Sequence, residues 1–247
     1  MNKTLAEAEQ FARGLCGFLQ EHPSTLHLFV VPPFTALARV CDVLRDAPVK
    51  VGAQNMHWAE RGAFTGEISP LMVKDCGAQM VELGHSERRA YFGETDYTVN
   101  AKVLSALKHN LTPIVCIGET EQEKESGVAA EYVARQVKIA LKGVPEARLP
   151  EILLAYEPVW AIGESGRPAE PAYADKMHAL IKSAAADVFG TPAARDVPVL
   201  YGGSVSQENA AQMASQANVD GLFVGRAAWD VHGFIGLIEQ VDGGRGL

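Results

Sequence analysis

The sequence lacks paired cysteines, a run of basic residues and a long apolar segment. Its 4 cysteines include no C-x-x-C pair, so neither a zinc knuckle nor a disulfide framework is predicted. With 22 Lys and Arg against 30 Asp and Glu, the net charge of −8 disfavours binding to nucleic-acid phosphate or to an anionic membrane surface. No stretch approaches a membrane span, and the first ten residues carry no apolar signal core. We therefore expect a cytoplasmic protein with no nucleic-acid or membrane partner.

Two further absences concern metals and nucleotides. The 7 histidines include no i,i+4 pair and none is next to a cysteine, so a metal site is not predicted. No G-x-G-x-x-G follows a strand and opens a helix, which weakens a dinucleotide-binding interpretation. The 47% of hydrophobic residues can bury a full-sized core, which excludes a disordered chain.

Seven short apolar, β-branched runs recur along the chain, with helix patterns between them. The runs are continuous rather than alternating, which is typical of strands buried on both faces of a parallel sheet. Their positions are 26–34, 49–55, 80–87, 113–119, 151–160, 198–205 and 221–229. Helix patterns occupy 100–109, 128–141, 173–189, 207–216 and 231–240, and two more begin at the Thr4–Glu7 capping box and at Ser69-Pro70, the latter closed by Gly77.

This alternation predicts one α/β domain over residues 1–247, because no Ser/Gly/Pro-rich linker divides the chain. A (β/α)8 barrel and a doubly wound sheet both fit. We favour the barrel, since polar residues follow several different strands and in a barrel those strand ends converge on one mouth. These residues are Gln54, Asn55, His85, Glu87, Glu119, Glu157 and Ser204.

Two of these strand-end residues have the chemistry of a proton-transfer site. Glu157 follows the apolar strand ILLAY and precedes Pro158, so its carboxylate would be partly desolvated, which suits a general base. His85 lies at a strand-to-helix turn just before Glu87. Backbone N–H groups of that turn would keep the imidazole neutral and able to donate a hydrogen bond to a carbonyl oxygen. Taken singly, each residue is also compatible with a structural role.

Three glycine-bearing turns follow the last strands and suggest an anion site. They are AIGESG, YGGSV and VGRAAW, at residues 161–166, 201–205 and 224–229. Glycine lets a backbone approach an anion closely, and N–H groups at a helix start bind phosphate without a lysine. In barrels such a site commonly follows the last two strands. The turns together predict a phosphate site, although each glycine alone could serve only a tight turn.

Six sequence motifs resemble those of the triosephosphate isomerase family and follow one another in the same order as in that family. They are GAFTGEIS (62–69), ELGHSERR (82–89), CIGE (116–119), AYEPVWAIG (155–163), YGGSV (201–205) and DGLFVG (220–225). The resemblance extends from the first residues to the last helix. It implies a TIM barrel that interconverts an aldose and a ketose of a small phosphorylated sugar through an enediolate, with no cofactor. In its triosephosphate form this reaction belongs to glycolysis and gluconeogenesis.

The resemblance also implies roles for individual residues. By their positions in the motifs, Glu157 would move the proton between two carbons, and His85 would polarise the carbonyl, with Glu87 completing the catalytic set. Backbone N–H groups would hold the phosphate, and a lid from Pro158 to Gly166 would close over the intermediate and exclude water. The phosphate-binding residues are Gly163, Ser204, Gly225 and Arg226, and the lid residues are Pro158, Val159, Trp160, Ala161, Ile162 and Gly163.

A long loop is further implied to join two subunits. Residues 56–67 correspond to the loop that docks into a second subunit, with Thr65 near the neighbouring site, so a homodimer is expected. Met56, Trp58 and Phe64 give this loop an apolar content that free loops seldom carry. An ordinary surface loop is the alternative.

The start of the chain departs from the family pattern, which begins with a strand ending in Asn-x-Lys-Met-Asn. This chain starts at Met1-Asn2, immediately after the place of that lysine, and Lys3 is not a credible substitute. A barrel without its first strand is therefore expected, with unpaired edges at the runs that begin at Leu26 and Gly221. Our hypothesis is that the functional product has about ten more residues upstream. Without them, a non-catalytic sugar-phosphate-binding protein is the leading interpretation.

Two further departures concern the substrate. The last turn reads Gly225-Arg226-Ala227 where triosephosphate isomerases usually have two glycines, and the lid stretch 161–171 is one residue longer than the common form. Together with AQNMHW (53–58), these features resemble a bacterial branch that isomerises L-erythrulose 1-phosphate in tetritol breakdown. The sequence leaves triose and tetrose phosphate open as substrates, and it leaves open whether Arg226 faces the phosphate.

Overall fold

Parallel strands form one continuous curved sheet in the computed structural model, which describes residues 1–163, 166–190 and 197–244. The seven strands of these residues are arranged in chain order, and each pairs in parallel with the next. Sequential order is typical of a barrel, whereas a doubly wound sheet reverses its order at a switch point. The strands are β1 Leu28–Val30, β2 Val49–Ala53, β3 Met80–Leu83, β4 Thr112–Ile117, β5 Leu153–Tyr156, β6 Val199–Tyr201 and β7 Gly221–Leu222.

Helices occupy the connections between the strands. The Thr4–Glu7 capping box is present, and the Ser69 side chain accepts a hydrogen bond from the Met72 N–H at the start of the helix with proline in its first turn, as predicted. None of the helices in the described ranges is long and apolar enough to cross a membrane. They are α1 Leu5–Glu21, α2 Phe34–Val43, α3 Pro70–Asp75, α4 Ser86–Tyr91, α5 Asp96–Lys108, α6 Glu121–Glu125, α7 Ala129–Ala140, α8 Pro171–Phe189, α9 Ala210–Ala214 and α10 Val231–Gly244.

Several helices differ from the sequence expectation, among them α6, which was not predicted, and α5, which begins at Asp96 and not near residue 100. Helix α2 was not predicted, and its N-cap is Pro33, which makes no side-chain cap hydrogen bond, so the usual start signal is missing. Helix α9 is shorter than the predicted range 207–216. The Asn209 side chain accepts a hydrogen bond from the Ser206 N–H at 2.9 Å, which forms a separate turn before the helix begins.

The two faces of the sheet bury separate apolar clusters. The larger cluster lies between the sheet and the helices, and it includes buried residues of every helix from α1 to α3. The smaller cluster contains Met80, Ile114, Cys116 and Ala155, with Phe29 and Phe223 packed against it. Residues from both ends of the sheet share this second cluster, so it lies on the inner face of the curve.

The first and last strands approach each other without pairing. Phe29 of β1 and Phe223, which directly follows β7, stack with their ring centroids 6.1 Å apart. No hydrogen-bonded ladder joins β1 to β7 in the part of the chain that the structure describes. The expected pair of unpaired edges is confirmed, and the polar strand ends are gathered at one rim of the curved sheet.

Candidate active site

The side chains of His85 and Glu157 meet at the C-terminal rim of the sheet. His85 lies two residues after the end of β3, and Glu157 directly follows β5. The Nε2 atom of His85 is 3.2 Å from Oε1 of Glu157. The prediction that these two residues share one mouth is therefore confirmed.

Glycines that directly follow the two neighbouring strands, β4 and β6, leave room for Glu157 in this position. A Cβ atom on Gly118 would lie 1.8 Å from the carbonyl oxygen of Glu157, and one on Gly202 would lie 2.8 Å from its Cγ. Real Cβ atoms do not tolerate such contacts, so any larger residue would displace the carboxylate or its strand. Gly202 belongs to a turn that was predicted for phosphate binding, and here it also makes room for the carboxylate.

The two oxygens of the Glu157 carboxylate have different surroundings. The residue is only 4% exposed. Oε1 contacts His85, whereas Oε2 is buried and has no hydrogen-bond partner among the described residues. An unpartnered, desolvated carboxylate oxygen is an effective proton acceptor, because no existing hydrogen bond has to be broken first.

The charge state of His85 reflects three nearby carboxylates. Burial alone would lower its pKa, but Glu157, through its charge and a hydrogen bond, raises the pKa to about 9, with Glu82 and Glu87 adding to the effect. The Glu87 N–H lies 3.3 Å from Nδ1 of the ring, which is the helix-start contact that the sequence predicted. The two contacts act in opposite directions, because the carboxylate favours the charged ring and the Glu87 N–H needs Nδ1 unprotonated, so the neutral ring stays a prediction. A substrate carbonyl placed between ring and carboxylate would weaken the raising effect.

We expect the imidazole of His85 to titrate near pH 9 in the ligand-free protein. In Glu157→Gln the raising charge is lost, so burial should dominate and bring the pKa below the ordinary 6.5. Because the folded-state pKa is raised, the contact stabilises the fold fully below about pH 6.5 and this contribution disappears as the pH rises through about 9. Nitrogen-15 NMR of labelled histidine measures both pKa values, and equal values in the two proteins would contradict the assignment.

Glu82 is a carboxyl group near this pair that the sequence analysis did not single out. It lies on β3 in register with Ile114, and its Oε1 is 4.0 Å from Sγ of Cys116 on the inner face of the sheet. Burial raises the pKa of Glu82 to about 7, against the lowering effect of His85 and with Glu157 adding to the rise. The available signal was a glutamate inside the apolar strand MVEL, since such residues are rarely buried without a reason.

Glu87, the third residue predicted to be catalytic, contacts the histidine mainly through its backbone. Its carboxylate Oε2 lies 4.0 Å from Nδ1 of His85, and its side chain is 70% exposed. The closer contact is the N–H donation to Nδ1. The structure thus places Glu87 beside the ring, where it orients the imidazole.

A buried carboxylate anchors the start of the predicted lid segment. Glu119 is 0% exposed, and its Oε1 accepts hydrogen bonds from Trp160 Nε1 at 2.8 Å and from the Tyr173 hydroxyl at 2.9 Å. The Tyr156 hydroxyl donates to the same carboxylate at about 3 Å. The Lys124 ammonium lies 3.1 Å from the centroid of the Trp160 ring. Glu119 was noted in the sequence only as a strand-end residue, and its role in holding the lid was missed.

Ala161 and Gly163 of the predicted lid are bonded to the two turns that follow β6 and β7. The Ser204 hydroxyl donates to the Ala161 carbonyl at 2.6 Å, and Nη2 of Arg226 donates to the Gly163 carbonyl at 2.5 Å. Three of the four predicted phosphate-binding residues are thus brought together, and Gly225 directly precedes Arg226. Positions 164 and 165 of the predicted lid lie outside the described residues.

The loop at residues 56–67 carries an exposed aromatic group. The His57 ring lies between Trp58 and Phe64, with centroid distances of 4.1 Å to each. Trp58 is 43% and Phe64 46% exposed, and Thr65 is exposed as well. Met56, in contrast, is fully buried in the core of its own chain. Of the residues that give this loop its apolar content, Met56 thus packs in its own core, and its place in a dimer loop stays a prediction.

Neither Lys3 nor a metal cluster completes the site. The Nζ atom of Lys3 lies 5.1 Å from the centroid of the Phe11 ring on α1, which agrees with its expected exclusion from the mouth. Within the described ranges, no group of three or more His, Cys, Asp and Glu side chains is placed to hold a metal ion.

Comparison with known proteins covers almost the whole chain. The family model for triosephosphate isomerase matches residues 1–241. An L-erythrulose-1-phosphate isomerase from Mesorhizobium japonicum is 53% identical over 241 residues, which cover 97% of this chain and 93% of that protein. A protein of the same name from Rhizobium etli is 53% identical over 242 residues, covering 98% of this chain and 89% of the relative.

The fold has a close counterpart among solved structures. The crystal structure of triosephosphate isomerase from Bartonella henselae is similar with a TM-score of 0.86 at 32% sequence identity, covering 97% of this chain and 94% of that one. The paired histidine and glutamate, the anchored lid and the match over nearly the full length lead to one conclusion. This chain is an isomerase that belongs to the triosephosphate isomerase family.

Proposed function

We propose that this protein isomerises L-erythrulose 1-phosphate. The observation that carries the proposal is the buried Oε2 of Glu157, which has no partner among the described residues and lies beside an imidazole, in a chain with more than half its residues identical to enzymes of that name. A base beside a hydrogen-bond donor to a carbonyl is the minimum apparatus for moving a proton between adjacent carbons.

The carbon skeleton of this substrate determines the product. In a 1-phosphorylated 2-ketose, the enediolate forms between the carbonyl carbon C2 and C3, on the side away from the phosphate. In a triose that far carbon becomes an aldehyde, but in the four-carbon sugar it carries a hydroxymethyl group and becomes a second ketone. The same proton shift therefore gives erythrulose 4-phosphate, so the aldose–ketose description from the sequence applies to the triose only.

Each residue of the site has a role in this step. Oε2 of Glu157 takes the proton from C3 and returns it to C2, while Nε2 of His85 donates a hydrogen bond to the carbonyl oxygen that gains negative charge. The hydroxyl proton on the C3 oxygen passes to the C2 oxygen, so that C3 becomes the new ketone. Backbone N–H groups of Gly163, Ser204, Gly225 and Arg226 hold the phosphate. The lid keeps water from the enediolate, which would otherwise lose phosphate.

Triosephosphate is the second candidate substrate. It is favoured by the solved triosephosphate isomerase, whose backbone matches this chain with a TM-score of 0.86. The two substrates differ by one hydroxymethylene group, and a pocket discriminates a difference of that size by only about 10–200-fold.

Side-by-side kinetics with L-erythrulose 1-phosphate and dihydroxyacetone phosphate test the proposal. We expect kcat/KM to be at least about tenfold higher for the tetrulose phosphate. A preference of that size for the triose phosphate would overturn the assignment and leave the triose as substrate. If neither compound is turned over, the alternative interpretation, a non-catalytic sugar-phosphate-binding protein, would be favoured.

We further propose that the protein is a homodimer joined through the aromatic group Trp58, His57 and Phe64. Two exposed rings on one loop form an apolar surface that a partner surface would cover. We expect Phe64→Asp to lower the solution mass to that of the 26.5 kDa monomer at micromolar concentration, as measured by light scattering. Val128→Asp, at a similarly exposed residue before α7, is the control and should not change the mass. A monomeric wild-type protein would contradict the proposal.

A further inference from the structure

Arg226 links the turn after β7 to the lid. Its Nη2 donates to the carbonyl of Gly163 at 2.5 Å. Gly163 has a φ of +83°, a left-handed conformation that glycine adopts easily and other residues rarely adopt. A substitution at Gly163 would therefore change the direction of its carbonyl. The contact therefore joins a lid residue in a special conformation to a side chain on a different strand end.

Most of the hydrogen-bonding capacity of this guanidinium is unused. Arginine carries five N–H donors, and within the described residues only the bond to the lid engages those of Arg226. No Asp or Glu oxygen in those residues lies within 4.0 Å of it. Arg89, which also lies near the rim, is instead occupied by Asp96 and by the carbonyls of Gly84 and Cys116.

Several negative charges near the mouth make a cation useful for binding a phosphate there. Glu82, Glu87 and Glu157 all act on His85, so a doubly charged phosphate enters a region rich in negative charge. Backbone N–H groups carry only partial charges, and a planar guanidinium binds phosphate oxygens through two parallel hydrogen bonds. Arg226 lies beside Gly163 and Gly225 of the proposed phosphate site, so its guanidinium could supply the positive charge that the backbone N–H groups lack.

We infer that the guanidinium of Arg226 couples lid closure to phosphate binding. One N–H group holds the lid carbonyl, and the remaining donors bind the phosphate of the substrate. This inference rests on the proposed function and deepens it by adding a charged side chain to a phosphate site otherwise built from backbone groups. It also gives a chemical reason for an arginine at a position where the family usually has glycine.

Inorganic phosphate, titrated by calorimetry, is the probe for this inference. We expect Arg226→Gln to raise the Kd for inorganic phosphate about tenfold, since a charge-assisted hydrogen bond is lost at a solvent-accessible site. Arg226→Lys keeps the charge but loses the fork of donors, so its Kd should lie between the two. Arg45→Gln removes the same charge from an exposed position after α2, outside the lid and the phosphate turns, and should leave the Kd within twofold of wild type.

Kinetics with L-erythrulose 1-phosphate supply the second readout. The KM of Arg226→Gln should rise about tenfold, and the rate with unphosphorylated L-erythrulose should be unchanged. An unchanged phosphate Kd in Arg226→Gln would overturn the inference even if kcat fell, because the side chain would then act on the lid alone. An equal loss in Arg45→Gln would also overturn it, as a general charge effect. If wild type binds phosphate through Arg226 but turns over no sugar phosphate, the proposed function fails and this inference stands.

Discussion

Glu157→Gln is expected to lower kcat by at least about 10³-fold while leaving the fold intact. The amide has the shape of the carboxylate but cannot accept a proton from carbon at Oε2, the buried atom that has no partner among the described residues. The measurement is kcat on L-erythrulose 1-phosphate, with the melting temperature and the Kd for inorganic phosphate determined on the same sample.

Glu131→Gln is the matched control for this substitution. Glu131 is an exposed glutamate in the first turn of α7, so its loss changes the net charge equally and should leave kcat unchanged. A Glu157→Gln protein that retains kcat within tenfold of wild type would remove Glu157 from the mechanism. Unchanged phosphate binding in the same sample would show that the site itself had survived the change.

Glu119→Leu is expected to have the largest effect on stability, about 3–5 kcal/mol off the free energy of unfolding. The substitution leaves one buried donor, the hydroxyl of Tyr156, and two half-buried donors, the hydroxyl of Tyr173 and the indole N–H of Trp160, without their acceptor. Because Trp160 is in the lid, we also expect kcat to fall by at least tenfold as the lid loses its anchor. Urea unfolding and steady-state kinetics measure the two effects.

Tyr173→Phe provides the graded comparison for Glu119. It removes one donor and leaves the carboxylate with the other two, so the cost should be only about 1 kcal/mol. Equal stability of Glu119→Leu and wild type would show that the carboxylate contributes nothing net to the fold. A loss of stability with full activity would place Glu119 in the fold and not in the control of the lid.

The barrel order and the pairing of His85 with Glu157 were predictable from the sequence. Continuous apolar runs indicate buried parallel strands, and side chains just after such strands converge at one rim. Short motifs such as AYEPVW and GHSERR place both residues at strand ends. The strand-end positions of the two residues depend on local sequence, and the barrel then brings the strand ends together, which is why their shared rim could be predicted.

Features that depend on three-dimensional packing could not be predicted in the same way. The steric need for Gly118 and Gly202 beside Glu157 arises between different strands. The burial of Met56 reflects how the first residue of a loop turns into the core. The raised pKa of His85 depends on a 3.2 Å contact that no spacing along the chain encodes.

The acidity of the whole chain does not oppose binding of an anionic sugar. The net charge is −8, but exposed charges are screened beyond about 8 Å at physiological salt. We expect binding to be decided by the groups at the rim, where backbone N–H groups and Arg226 would act at short range. The same argument explains why the three carboxylates near His85 matter more than the total charge.

Deuterium exchange tests the central claim most directly. Wild-type protein is incubated with L-erythrulose 1-phosphate in D2O, and the carbon positions that gain deuterium are identified by NMR. With the phosphate held at the lid and the base on the far side of the carbonyl, deuterium should enter the recovered substrate at C3 and should not enter C1, and Glu157→Gln should give no exchange. Exchange at C1, or exchange at C3 that persists in Glu157→Gln, would contradict the account.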